Sequence, residues 1–277
     1  MRQLSVYQVD AFTNESFKGN PAGVCILDEE IEEKYMQLIA QEMNLSETAF
    51  VWPADEGTIR DTDIFIIRWF TPLSEVPLCG HATLAATKIL FSEIGNKNSS
   101  ITYKTKSGKL TAKKCSEGIA LDFPIDEPLN VIPSKDILKA VGIENYENTV
   151  IGKKTGKLVI HLSEEKQIYE VKPNFQELLG IKLHMDIKGI GITSYGNRNY
   201  DFISRYFNPW AGVNEDPVTG SVHTLLAAYW GEILKKKDLK AYQASQRGGE
   251  IVLKILGHDR VQLIGDAVIT LKGEMFF

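Results

Sequence analysis

The amino-acid sequence predicts an α+β protein of two related lobes, each a mixed, mostly antiparallel sheet packed on a few helices. Three observations carry this. The chain has 277 residues, room for one large domain or two of ordinary size. Its segments run strand, helix, strand, strand, helix, strands and then much the same again, without the regular alternation of a parallel βαβ repeat. A composite motif of strand end, proline, glycine and small-residue helix occurs twice, in the same order.

The elements follow in turn. LSVYQVDAF (4–12) is rich in β-formers and partly alternating; turn residues fill TNESFKGNPAG (13–23), and VCIL (24–27) resumes a strand. EEIEEKYMQLIAQEMN (29–44) places Ile31, Tyr35, Leu38 and Ile39 at helical spacing and predicts an amphipathic helix. ETAFVWP and DIFIIRWFTP are strand-like, and a helix opens at Gly80 and His81. Residues 99–124 read as three short strands joined by SGK and SEG turns. SKDILKAVG (134–142) is a short helix, residues 148–163 a hairpin around KTGK, and NFQELLGI (174–181) helical. GIGITSYG and YDFISRYF are strands, Gly220–Leu234 a helix, and EIVLKIL and RVQLIGDAVITLKGEMFF closing strands. The boundary falls near residues 122–134, where three prolines interrupt the pattern, giving lobes at 1–125 and 126–263.

The repeat is explicit. IIRWFTP (66–72) and ISRYFNP (203–209) share I-x-R-x-F-x-P. PLCGHATLAA from Pro77 then faces PVTGSVHTLLAA from Pro217: proline, two residues, glycine, and an Ala/Leu/Thr run. A helix start carries unsatisfied N–H groups and a partial positive charge, and Gly80 and Gly220 allow a ligand close approach to the backbone. Two such starts suit a carboxylate. Tight helix–sheet packing alone accounts for the alanines but not for His81, Asp216 and Ser221 at the helix mouths. Ser46 and Glu47 in NLSETAF lie between a helix and a strand; an isolated glutamate there also suits a cap or the surface.

The hydrophobic share of 43% and charged share of 24% are globular values, and a chain this long buries its core without staples. A net charge of −5 gives no reason to expect nucleic acid or an anionic membrane as partner, and LKKKDLK (234–240) reads as a solvated helix end. Cys25, Cys79 and Cys115 are odd in number and form no CxxC, so a reducing compartment is expected. No apolar run approaches a membrane span and MRQLSVYQVDAF has no signal-peptide core, so the expectation is a cytoplasmic protein. No GxGxxG, Walker, HxH or HExxH pattern occurs; neither cofactor nor metal is expected, and a hydrolase built on Glu47, His81, Asp216 and His223 is disfavoured. His161, His184 and His258 read as isolated structural or surface residues.

VDAFTNESFKGNPAGVCIL, NLSETAFV, IIRWFTPLSEVPLCGHATLAA, SRYFNPWAGVNEDPVTGSVHTLLAAYW and QRGGEI run in order over nearly the whole chain. On these segments the chain resembles the PhzF-like proteins, named for an isomerase of phenazine biosynthesis and grouped with the diaminopimelate epimerase-like fold. The resemblance implies two lobes, each a strongly curved, barrel-like sheet around a central helix, an active site between them, and residues 264–277 returning to the first lobe. It implies that Glu47 shuttles a proton while Ser46, Gly80, His81, Asp216, Gly220 and Ser221 hold a small carboxylate-bearing substrate, without a cofactor and in a homodimer. The related epimerases use two thiols; here the first helix mouth has Cys79 and the second has none, so Cys79 also reads as a small apolar residue. Three functions stay open: a proton-moving isomerase, whose carboxyl needs a pKa raised by burial; an epimerase or racemase using Cys79 or Asp216; and a non-catalytic small-molecule binder.

Overall fold

The computed structural model describes residues 2–182 and 187–277; His184 lies outside them. The chain divides into two compact units, Met1–Phe123 with Leu263–Phe277, and Pro124–Gln262. The first contains β1 (Gln3–Ala11), β2 (Asn20–Ile26), α1 (Glu33–Met43), β3 (Thr48–Pro53), β4 (Ile64–Phe70), β5 (Glu75–Val76), α2 (Gly80–Ser92), β6 (Ser100–Thr105), β7 (Gly108–Cys115) and β8 (Gly118–Pro124). The second contains β9 (Pro128–Asn130), α3 (Lys135–Val141), β10 (Asn148–Gly152), β11 (Leu158–His161), α4 (Glu165–Glu170), α5 (Phe175–Gly180), β12 (Ile190–Tyr195), β13 (Phe202–Asn208), β14 (Val213–Glu215), α6 (Gly220–Leu234), β15 (Asp238–Gln243) and β16 (Gly249–Leu256). β17 (Arg260–Gly265) leads back, and β18 (Ala267–Phe276) completes the first unit.

The two units repeat one ladder. In the first, β1 pairs antiparallel with β2, β2 parallel with β3, β3 antiparallel with β4, β4 parallel with β6, and β6 antiparallel with β7. In the second, β10, β11, β12, β13, β15 and β16 follow the same sequence of antiparallel, parallel, antiparallel, parallel, antiparallel. Parallel neighbours need a crossover. α1 supplies the first in one unit, as α4 and α5 do in the other; α2 and α6 supply the second.

The second crossover helix buries most of its residues in each unit. α2 buries His81, Ala82, Thr83, Leu84, Ala85, Ala86, Thr87, Ile89 and Leu90, and packs on β1, β2, β3 and β18. A helix apolar all round belongs inside a core, and a sheet touching it with four strands curves about it. Alanines let the strands approach; Thr83 and Thr87 stay because their hydroxyls donate back to the carbonyls of Cys79 (2.6 Å) and Thr83 (2.7 Å). α6 buries Val222, His223, Leu225, Leu226, Ala227 and Trp230, and Trp230 Nε1 donates to Thr193 Oγ1 at 2.9 Å.

The repeated I-x-R-x-F-x-P motif has the same use twice. Arg68 Nε and Nη2 hold Glu75 at 2.8 and 2.7 Å, with the guanidinium 5.2 Å from the Phe70 ring centre. Arg205 holds Glu215 at 2.7 and 3.0 Å, 4.9 Å from Phe207. Residues two apart on a strand share a face, so arginine stacks on phenylalanine while its fork clamps the returning strand. Each arginine also fastens the first crossover helix: Arg68 pairs with Glu33 of α1, and Arg205 donates to the Ile168 and Val171 carbonyls at 2.9 and 2.8 Å.

Two expectations on elements are corrected, and one element is added. α1 starts at Glu33, after Ile31, and buries Met36, Ile39 and Ala40, leaving Leu38 56% exposed. The LKKKDLK patch is not only a helix end: Asp238 opens β15, whose Leu239 and Ala241 are buried. α4 is a helix that the sequence pattern does not predict; it is held by a capping box in which Gln167 accepts from the Glu164 N–H at 2.9 Å.

Candidate active site

In the first unit, the side chains of Ser46, Glu47, Cys79 and His81 meet at the start of α2, whose first residue is Gly80. Asn44 ends α1 with a left-handed φ of 50°, turning the chain so that Ser46 and Glu47 precede β3. The Gly23 N–H donates to the Glu47 carbonyl at 3.0 Å, which pins Glu47 beside β2. His81, in the first turn of α2, sits among three partners. Its Nε2 is 3.4 Å from Glu47 Oε2 and 3.4 Å from Ser46 Oγ; its Nδ1 is 3.5 Å from Cys79 Sγ. The side chains of His81 and Glu47 are 8% and 21% exposed, so the carboxyl has an opening to solvent while the imidazole has almost none. Burial raises the Glu47 carboxyl above its ordinary range, opposed by the Ser46 hydroxyl.

Cys79 is the residue before α2, extended at φ −143°, and its side chain does not cap the helix. Its buried thiol lies against an imidazole rather than among apolar groups alone. Nothing in the spacing of NLSETAF and PLCGHAT foretells that carboxylate, imidazole and thiol atoms lie within 4.8 Å of one another; the packing of α2 against β2 and β3 brings the segments together.

In the second unit, Asp216 and the start of α6 form a tied loop. The Asp216 N–H donates to the Tyr206 carbonyl at 3.0 Å, and Thr219 Oγ1 donates to the Asp216 carboxylate. Gln243, fully buried on β15, donates to the Asp216 carbonyl at 2.6 Å and accepts from the Thr219 N–H at 2.9 Å. Ser245 Oγ donates to the Pro217 carbonyl at 2.8 Å. Gly220 is buried, and Ser221 is exposed in the first turn.

Sequence reasoning missed Gln243, Lys157 and Tyr206. Lys157 Nζ donates to Tyr206 Oη at 2.7 Å and lies 4.3 Å from its ring centre. Burial pulls the ammonium down to about 8, against the opposing charges of Asp216 and Asp126. Burial raises the Tyr206 phenol, with the Asp216 charge adding to it. In KTGK, Lys157 looks like a hairpin surface lysine, so no local signal marks it; Gln243 sits just before QRGGEI, which is a signal.

The other described histidines, His223, His161 and His258, are structural or exposed. His223 lies within α6, its Nδ1–H donating to the Thr219 carbonyl at 2.7 Å, its ring stacked on Phe202, and its pKa lowered by burial to about 4. Among the described residues, the cluster of His, Cys, Asp and Glu side chains that could hold a metal comprises Glu47, Cys79 and His81, without Asp216 or His223. His161 is buried among Tyr195, Tyr229 and Trp230, with Nδ1 2.9 Å from Tyr229 Oη. His258 is exposed in a turn. No helix of the described residues is long and apolar enough to cross a membrane.

The geometry has counterparts among known proteins. The family model described as phenazine biosynthesis-like protein matches residues 9–273. An uncharacterized isomerase of Halalkalibacterium halodurans is 46% identical, and the phenazine biosynthesis-like domain-containing protein 1 of Mus musculus 43%; each alignment covers 99% of both chains. The crystal structure of a PhzF-family phenazine biosynthesis protein from Enterococcus faecalis superposes with a TM-score of 0.90 at 37% identity, covering 100% of both chains. With a solved relative matched end to end and the family model spanning both units, the chain belongs to the phenazine biosynthesis-like, PhzF, family.

Proposed function

We propose that this protein is an isomerase that moves a proton within a small carboxylated metabolite, with Glu47 as the acid and base and no cofactor. The observation that carries the reading is the state of Glu47: a carboxyl raised by burial, partly open to solvent, held beside His81 at a helix N-terminus. General acid–base catalysis works best when the group's pKa approaches the working pH. A helix start with N–H groups favours the substrate carboxylate. Relatives named uncharacterized isomerases, at 46% and 39% identity over 99% of the chain, support the reaction class. We assign Ser46, Gly80, His81, Asp216, Gly220 and Ser221 to holding the substrate.

The test is isotopic. Small unsaturated or amino-bearing carboxylates are screened in deuterated water for isomerisation or deuterium uptake, with wild type and Glu47→Gln compared. Glutamine keeps the size of the side chain and cannot exchange a proton. The variant is expected to bind ligand but to turn over about 10²- to 10⁴-fold more slowly. Equal rates overturn the assignment.

A second reading has one observation in its favour: Cys79 Sγ touches His81 Nδ1. A thiol acting as a base in an epimerase requires Cys79→Ala to cost at least about 10²-fold. The carboxyl mechanism expects Cys79→Ala to stay within about tenfold of wild type, a cost confined to packing around His81.

A further inference from the structure

The geometry points to a binding site for a borderline-soft divalent cation, of the zinc class, formed by Glu47, Cys79 and His81. One ligand atom from each lies within 4.8 Å of the others. In a tetrahedral site with bonds of about 2.0–2.3 Å, ligand atoms stand roughly 3.3–3.7 Å apart. The Cys79 Sγ to His81 Nδ1 distance of 3.5 Å matches for an ion on Nδ1, and the 3.4 Å between Glu47 Oε2 and His81 Nε2 matches for an ion on Nε2. Because thiol and carboxylate face opposite ring nitrogens, an ion takes one nitrogen, and the third ligand closes by a rotation of about 1 Å, within reach of Glu47's three side-chain torsions.

The donor set decides the metal. Thiolate, imidazole and carboxylate together suit zinc or cobalt; magnesium and calcium want oxygen ligands throughout. Binding takes the thiol proton into solvent and leaves Cys79 as thiolate. Three protein ligands leave a fourth position for water, and Glu47 provides the opening. Cation binding stands whether or not Glu47 moves a proton. Its consequence, that a bound ion takes the Glu47 lone pair and silences turnover, rests on the isomerase reading.

Cobalt(II) titration of the reduced, full-length protein tests the site without any substrate. Near one equivalent, a thiolate-to-cobalt charge-transfer band is expected in the near ultraviolet, displaced by zinc and unaffected by magnesium. Cys25→Ser and Cys115→Ser should keep the band; Cys79→Ser should lose it. In the Cys115→Ser background, His81→Asn should keep the thiolate but weaken cobalt binding by more than the roughly 10- to 100-fold that losing an outer-shell partner costs. A wild type without the band at excess cobalt overturns the proposal. So does a band that survives Cys79→Ser, or affinity unmoved by His81→Asn. The deuterium-exchange test of Glu47 needs no metal, so either idea can fail alone.

Discussion

Glu47 ties chemistry to stability at the scale of one residue. Its folded carboxyl is raised by burial above the unfolded value of about 4.3. Between the two values the folded state binds more protons, so stability falls as pH rises through that window. Glu47→Gln removes the penalty of an ionised buried carboxyl. The variant should equal wild type near pH 4 and be more stable near pH 8, by about 1.4 kcal/mol for every pH unit that separates the folded value from the unfolded one. Thermal melts across that range check it; a gap that does not widen with pH removes the raised carboxyl. The same raised value should place the acid limb of the pH–rate profile above the ordinary carboxylate range. Ser46, Glu47, Cys79 and His81 were each legible in sequence, through motif and helix-mouth chemistry. Their mutual contacts were not, because the packing of α2 on β2 and β3 makes them. Gln243 and Lys157 were less legible still, since buried hydrogen bonds leave no pattern in a single chain.

At the scale of elements, α6 and the start of α2 were readable to the residue, because a proline and a glycine bracket each start and small residues fill each interior. β15 and α4 were not: a charged run masks a strand that buries Leu239, Ala241 and Gln243 in one, and six residues are too few for a helical period in the other. The arginine clamps carry their own prediction. Arg68 and Glu75 are 12% and 14% exposed, and Lys106 still pairs with Glu75 when Arg68 is lost. Arg68→Met should therefore cost about 2–3 kcal/mol, below the 3–5 for breaking a fully buried pair. Glu75 is held below its ordinary range, chiefly by Arg68. Its contribution is complete above the unfolded value near 4.3 and is lost as pH falls through the folded one. Arg68→Met should accordingly flatten the acid side of the stability curve, and an unchanged acid slope would place the clamp's energy elsewhere.

Two hairpin glycines separate backbone strain from crowding. Gly108 opens β7 at φ 103° with nothing within 4 Å of an added Cβ. Gly118 opens β8 at φ 125°, and a Cβ there lies 2.4 Å from the Gly265 carbonyl oxygen. Alanine at 108 should cost the positive φ alone, about 1–2 kcal/mol. Alanine at 118 adds a clash with main chain that no side-chain rotation relieves, about 3 kcal/mol or more in all. Denaturant titration of both variants checks the order; equal losses would mean that the β8 turn yields.

The whole molecule closes its first unit with its last strand. β18 pairs with β1 from Gln3↔Phe276 to Ala11↔Ala267, and the Arg2 N–H donates to the Phe277 carbonyl at 2.7 Å. The other side of β1 is taken by β2, so removing β18 bares a full edge and the apolar residues beneath it. The second unit, Pro124–Gln262, is continuous in sequence and needs no such return. Deleting residues 267–277 should therefore abolish hydrogen-exchange protection in β1 and β2 while β11, β12 and β13 keep theirs, since local stability follows the cooperative unit. Circular permutation keeps the pairing and changes only the order of synthesis. Joining Phe277 to Arg2 by a short flexible linker, with new ends in the exposed turn at Ser116 and Glu117, should preserve protection in both units. It should also speed folding, because contacts between the chain's two ends become local. If the truncated protein protects β1 as well as the permutant does, the β1–β18 ladder is not what holds the first unit together.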